Sequence, residues 1–304
     1  MASVNTYVRE YFTEEYNILE IISSSEDQPQ NYVGKSNKKE NGVGANGEDP
    51  PTLTDQEIEE KAEKSKQESI RRTKRDLKFL VYNNVLSNWR FATLTYAGKG
   101  EFSRDQVFRN VEQMVERIEE KEKRDIQYIC ALELHPGGHG YHAHLVIDIP
   151  YYKNEYFQKM FWRKGFVKLE KLRIGKNPRQ LSKVVSYLIK YVTKSIENGD
   201  KGKKRYSSSR NLIRQPFRIS LNIQSDTQFY KLIQKYKKKG YREIERYDFI
   251  IEDIEYTVTI FHRSRPTGPG LTPDNDFCNR LLNAFGGTLL NPDGVIPLSF
   301  SSPS

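Results

Sequence analysis

From residue 90 onward, short runs of β-branched and aromatic residues alternate with stretches whose apolar positions recur three and four apart. RFATLTYA (90–97), IQYICALEL (126–134), YHAHLVIDI (141–149) and FVKLEKLRI (166–174) read as strands. Helices are predicted near 103–121 and 153–163, and near 178–196, where Pro178 suits a first helical turn. A strand near 215–223, a basic helix near 226–238 and a hairpin-like pair near 247–262 follow. The alternation is that of an α+β chain built around an antiparallel sheet.

The flanks carry a different pattern. Residues 23–53 are rich in Gly, Asn, Ser, Glu and Pro and nearly free of large apolar side chains, so they read as a disordered linker that cannot offset its own ordering entropy. The segment before it, with Tyr7, Tyr11, Phe12, Tyr16, Ile18, Leu19 and Ile21, reads as a small docking helix. Thr54 and Glu57 have capping-box spacing, and a charged helix is expected to run from there into LKFLVYNNVL. After His262, Pro, Gly and Ser predict a loose tail. The expected division is thus an acidic, largely disordered segment (1–53), a helical lead-in (54–88), a central domain (89–225), a helix-and-hairpin extension (226–263) and the tail (264–304).

Charge sharpens this division. Residues 1–60 hold 4 Lys/Arg against 13 Asp/Glu, while the remainder holds 45 against 27. A basic body of this kind favours a polyanionic partner, because Lys and Arg release counterions condensed on phosphates. Residues 163–194 carry ten Lys/Arg and one acidic residue, and 201–218 carry seven and none. Arg163, Lys164, Lys183, Lys194, Lys204, Arg205 and Arg210 are therefore candidate DNA contacts. Two distant cysteines, Cys130 and Cys278, point to neither a disulfide framework nor a zinc cluster. Without a secretory leader or a sufficiently long apolar run, the chain is expected to be soluble and intracellular, with no membrane partner.

Two constellations carry chemistry. On a strand, His142 and His144 project from one face while Ala143 and Leu145 point to the other, a geometry that suits chelation of a divalent metal. Glu133, nine residues upstream, is placed to add an oxygen ligand from a neighbouring strand. His135 and His139 lie in the same glycine-rich turn, where a structural or DNA-contacting role competes with ligation. In VVSYLIKYVTKS (184–195), Tyr187 and Tyr191 are four apart on a predicted helix and share a face, with Lys190 and Lys194 in the same turns. A phenol with an ordinary pKa of ~10 attacks phosphorus poorly, so such a nucleophile calls for a metal and nearby cations. Tyrosines at this spacing also pack in cores, and a lone His-x-His often decorates a surface.

Together, FATLTY (91–96), Glu133 with His142-Ala143-His144, and Tyr187-x-x-x-Tyr191 resemble the three motifs of the HUH endonuclease family, in that family's order. The chain looks most like the two-tyrosine rolling-circle replication initiators of bacteria, their phages and plasmids, over about residues 70–225, which include Trp162 to Phe166 and KRYSSSRNL (204–212). The resemblance implies a central five-stranded antiparallel sheet flanked by helices, with the tyrosine helix packed over metal ligands. It implies Mg²⁺ or Mn²⁺ held by Glu133, His142 and His144. Tyr187 would cut the strand to leave a 5′-phosphotyrosine and a free 3′-hydroxyl, Tyr191 would make a second cut, and Lys190 would orient the phosphate or the nucleophile.

The partners implied are single-stranded origin DNA, a host polymerase and a separate helicase, in the cytoplasm of a bacterial host. A separate helicase is expected because GKGEFS (98–103) lacks the spacing of a phosphate-binding loop. Two other readings stay open: a transposase or relaxase of the same chemistry, and a non-catalytic basic DNA-binding protein.

Overall fold

The computed structural model describes residues 4–24, 54–135, 140–172, 174, 179–197, 205–251, 254–264 and 274–289. Its architecture is α+β, with two antiparallel sheets. The first contains β3 (Arg90–Leu94), β4 (Tyr128–Leu134), β5 (Tyr141–Ile147), β6 (Val167–Lys171) and β7 (Tyr206–Ser208), in the order β6-β3-β5-β4-β7. The strand that carries both motif histidines is thus the central one.

On one face of this sheet lies α2 (Arg104–Glu122), capped by Ser103, with its stripe Val107, Val111, Met114 and Ile118 buried. The short helix α3 (Asn154–Phe157), which runs on into a π-helical turn (Gln158–Trp162), packs into the same core through Phe157, Phe161 and Trp162. The opposite face receives α1 (Asp55–Asn84) and α4 (Arg179–Glu197). The capping box at Thr54 forms as its spacing predicts, and Leu77, Leu80 and Val81 bury the far end of α1. In α4, Leu181, Val184, Val185, Leu188 and Val192 form a stripe at helical spacing, which sets which of its residues face the sheet.

A second sheet covers the other side of α1 and α4. It is built from β1 (Val4–Phe12), β2 (Tyr16–Ser24), β8 (Phe217–Ile223), β9 (Arg242–Ile251), β10 (Ile254–Ser264) and β11 (Gly287–Leu289), in the order β11-β8-β1-β2-β10-β9. Tyr11, Ile18, Ile22, Val258 and Ile260 join the core around α1 and α4. Val8, Phe12, Leu19 and Ile21 point the other way, onto α5 (Asp226–Lys238) and α6 (Asn275–Phe285). The chain is thus layered helix, sheet, helix, sheet, helix.

Three expectations need correction. The docking helix anticipated near the N-terminus is the hairpin of β1 and β2, paired in register from Thr6 with Ser23 to Phe12 with Asn17. Tyr7, Val8, Tyr11 and Phe12 have helix-like spacing only because both faces of the strand are buried and Glu10 finds a partner inside. The tail anticipated from 264 contains α6, capped by Asp274, and β11, which pairs with β8. Residues 265–273 and 290–304 of that expected tail, and 25–53 of the expected linker, lie outside the described residues. The strand near 215–223 belongs to the second sheet as β8, and the fifth strand of the first sheet is β7, within the basic run expected to contact DNA. Among the described residues no helix is long and apolar enough to cross a membrane.

Candidate functional site

Register brings the motif residues of the first sheet together. Glu133 on β4 is the direct partner of His142 on β5, and His144 lies between Ala131 on β4 and Thr93 on β3. The period of two puts Glu133, His142, His144, Thr93 and Phe91 on the face that α4 crosses. His144 is buried, with its Nε2 3.2 Å from Glu133 Oε2 and its Nδ1 3.4 Å from Thr93 Oγ1. Burial pushes the His144 imidazole down to about 4, against the pull of Glu133, so the ring is neutral. Burial alone would raise the Glu133 carboxyl, but the Lys194 ammonium, 2.6 Å from Oε1, and His144 outweigh it and hold the group ionised below the usual carboxylate range.

Helix α4 lays both tyrosines over this pair. The Tyr191 ring is buried and stacks on the His144 imidazole, with centroids 3.7 Å apart. Tyr187, one turn earlier, stays 37% exposed and meets Tyr191 edge to face at 4.6 Å and Phe91 at 4.6 Å. Burial raises the Tyr191 phenol well above its ordinary value, and the neighbouring Tyr187 raises it further. The two rings therefore pack edge to face, one half-exposed and one buried against His144.

The other candidate residues are dispersed around this centre. Lys190 and Lys183 are exposed on α4 beside Tyr187. Lys194, a candidate DNA contact, pairs with Glu133. Arg163 and Lys164 occupy the turn after the π-helical segment, where Arg163 takes a left-handed φ of 58° and Ala97 N–H donates to the Lys164 carbonyl. Arg205 donates to Thr73 Oγ1 at 3.1 Å, and Arg210 is exposed in the turn after β7. His135 has its ring 4.8 Å from that of His142, while His139 and Lys204 lie outside the described residues.

Residues 89–196 match the family of the replication-associated protein ORF2. The matched span runs from β3 through α4 and so contains every motif strand and the tyrosine helix. This segment of the chain is similar to replication-associated proteins, the kind of protein its motifs resemble. No curated protein and no solved structure was found to match the chain.

The donor chemistry of the site fits a divalent cation. One imidazole is neutral, the carboxylate is ionised, the second imidazole shares their face, and the Lys194 ammonium rests on the carboxylate as a cation would. Convergence is incomplete, because among the described residues no group of three or more His, Cys, Asp or Glu side chains is gathered closely enough to hold a metal ion. Residues that motif reading missed lie around Tyr187. Arg179, Ser182 and Ser186 on α4 face Arg246 on β9 across a groove of about 950 Å³. Charge runs hinted at Arg179, but nothing local in the sequence brings β9 to α4.

Proposed function

We propose that this chain is a rolling-circle replication initiator that nicks and rejoins single-stranded origin DNA through Tyr187. The observation that carries the reading is the placement of an exposed tyrosine, packed edge to face on a buried one, above an ionised Glu133 and a neutral His144. The similarity of residues 89–196 to replication-associated proteins supports it.

In this reading Tyr187 Oη attacks the scissile phosphorus, losing its phenolic proton. The bond from phosphorus to the 3′ oxygen breaks, and that oxygen takes up a proton, leaving a 5′-phosphotyrosine and a 3′-hydroxyl that can prime synthesis. Tyr191, packed edge to face against Tyr187, would donate to Tyr187 Oη as the phenolate forms. Lys190, exposed in the same turn, contacts the phosphate. Glu133, His142 and His144 would hold Mg²⁺ or Mn²⁺, which supplies charge neutralisation at the phosphate. Tyr187 acts first because it is the accessible hydroxyl, and Tyr191 becomes a nucleophile only once the stack on His144 opens.

The test is a labelled single-stranded origin oligonucleotide incubated with the protein and Mn²⁺. A covalent adduct that disappears in Tyr187→Phe is expected. An adduct that persists undiminished when Tyr187 and Tyr191 are both changed to Phe would overturn the proposal.

A further inference from the structure

The groove beside Tyr187 has walls from both sheets' surroundings. One wall is the solvent edge of α4, the other is β9, the outermost strand of the second sheet. The two are tied at the base: Arg179 Nε donates to the Ile244 carbonyl at 3.2 Å, and Ser182 Oγ donates to Glu245 Oε2 at 3.0 Å. Ile244 is the residue skipped where the β9–β10 register shifts between Ile260 and Phe261. A bulge there turns the strand's backbone toward the groove, the re-aiming for which such irregularities are suited.

The lining is cationic on balance, with Arg179, Lys183, Lys190 and Arg246 against Glu243 and Glu245. Lys183 and Lys190 project from α4 and Arg246 from β9, all exposed, with Tyr187 among them. Of the two carboxylates, Glu245 accepts from Ser182, and Glu243 is exposed at the β9 wall. A slot lined mainly by cations from two elements, open to solvent and bordered by Tyr187, matches the backbone of one nucleic-acid strand. Its volume of about 950 Å³ suits a short run of unpaired nucleotides rather than a duplex turn.

We infer that the α4–β9 groove is the channel in which single-stranded DNA flanking the cut lies, with Arg246 of the second sheet gripping its phosphates. The assignment rests on the reading of Tyr187 as the DNA-joining nucleophile. It gives the second sheet, outside the matched segment, a part in substrate binding: β9 would extend the footprint beyond the site and hold the strand in register while the phosphodiester is open.

The test measures fluorescence anisotropy of labelled oligothymidylates, short and long, with the full chain in EDTA, where no cutting occurs. Arg246→Glu is expected to weaken the long oligonucleotide roughly three- to tenfold and to lower the salt slope by ~0.7 for each phosphate no longer neutralised. The short oligonucleotide and a duplex of equal length should change little, and Arg246→Lys should restore most of the affinity. Lys183→Glu on the opposite wall provides the same readout should the β9 variant fail to fold. Unchanged affinity and salt slope in both charge reversals, or equal losses on short, long and duplex DNA, would overturn the channel. Adduct formation by the unaltered protein on a single-stranded origin oligonucleotide with Mn²⁺ is scored separately. An adduct with Arg246-independent binding refutes the channel alone, and Arg246-dependent binding without an adduct refutes the nicking reading alone.

Discussion

The Tyr191 ring lies flat on the His144 imidazole, its plane within 2° of parallel. A stacked, buried phenol beside Tyr187 has two separable parts: the ring packs the histidine face of the sheet, and in the proposed reaction the oxygen serves its neighbour. Tyr191→Phe keeps the ring and removes the oxygen. It is therefore expected to fold normally and still form the Tyr187 adduct, with the rate lowered by roughly ten- to a hundredfold, the scale of losing one hydrogen bond to a charged oxygen. Single-turnover kinetics checks this. Tyr191→Ala should in addition loosen the packing, and a Tyr191→Phe variant as inert as Tyr187→Phe would remove the hierarchy between the two.

Lys194 competes for the carboxylate a cation would use. Its ammonium is 2.6 Å from Glu133 Oε1, yet its side chain is 43% exposed, so the pair contributes at most about 1 kcal/mol. Lys194→Met should thus strengthen Mn²⁺ binding several-fold in isothermal titration, and Glu133→Gln should weaken it. Weaker Mn²⁺ binding in Lys194→Met would place the lysine in the site as a partner of the metal instead of a rival.

How much of this was readable in the chain follows from where each residue's partners lie. His142, His144 and Glu133 could be placed on one face because strand parity is local, and Tyr187 with Tyr191 because helix spacing is local. The exposure difference between the two tyrosines could not, since it depends on how α4 is rolled by Leu181, Val184, Val185 and Leu188 against the sheet. Strands β8, β9 and β10 of the second sheet were legible, but its N-terminal hairpin was not, for a related reason. Glu10 and Glu20 sit fully inside it, satisfied by Tyr236 and by Lys78 with Arg9, so its strands carry polar residues where a strand pattern would show apolar ones. Helix α6 was legible in part: Phe277, Cys278, Leu281, Leu282 and Phe285 have helical spacing behind a capping Asp274, but stand among Gly and Pro. The groove needed β9, which is distant from α4 in sequence.

Gly140 fixes the start of the histidine strand. Its φ is 75°, and a Cβ there would overlap the Glu101 carbonyl oxygen, which also accepts from Tyr141 N–H at 2.7 Å. Gly140→Ala forces either a strained left-handed alanine or a shift of β5 away from Glu101. A loss of roughly 1 to 3 kcal/mol in urea unfolding is expected, along with weaker Mn²⁺ binding because His142 is two residues on. Unchanged stability would show that the turn has room the backbone contacts deny.

Glu20 ties β2 to α1 through charge. Fully buried, it accepts from Tyr11 at 2.6 Å and pairs with Lys78 and, at 3.6 Å, with Arg9. Burial alone would raise its carboxyl, but Lys78 and Arg9 outweigh burial and hold it below the ordinary 4.5. Burial likewise would lower the Lys78 ammonium, and Glu20 raises it instead. A carboxyl lowered in the folded state contributes stability that is present above the ordinary carboxylate range and is lost as pH falls through the folded value. Glu20→Gln removes the anion and leaves Lys78 desolvated without it, so a loss of roughly 3 to 5 kcal/mol at neutral pH is expected. Urea melts of both proteins from neutral to acid pH check the sign: their stability difference should stay constant near neutrality and shrink below about pH 4.5. A difference that instead widens in acid would mean that Glu20 is held protonated in the fold, and that the lysine and arginine do not pair with a charge.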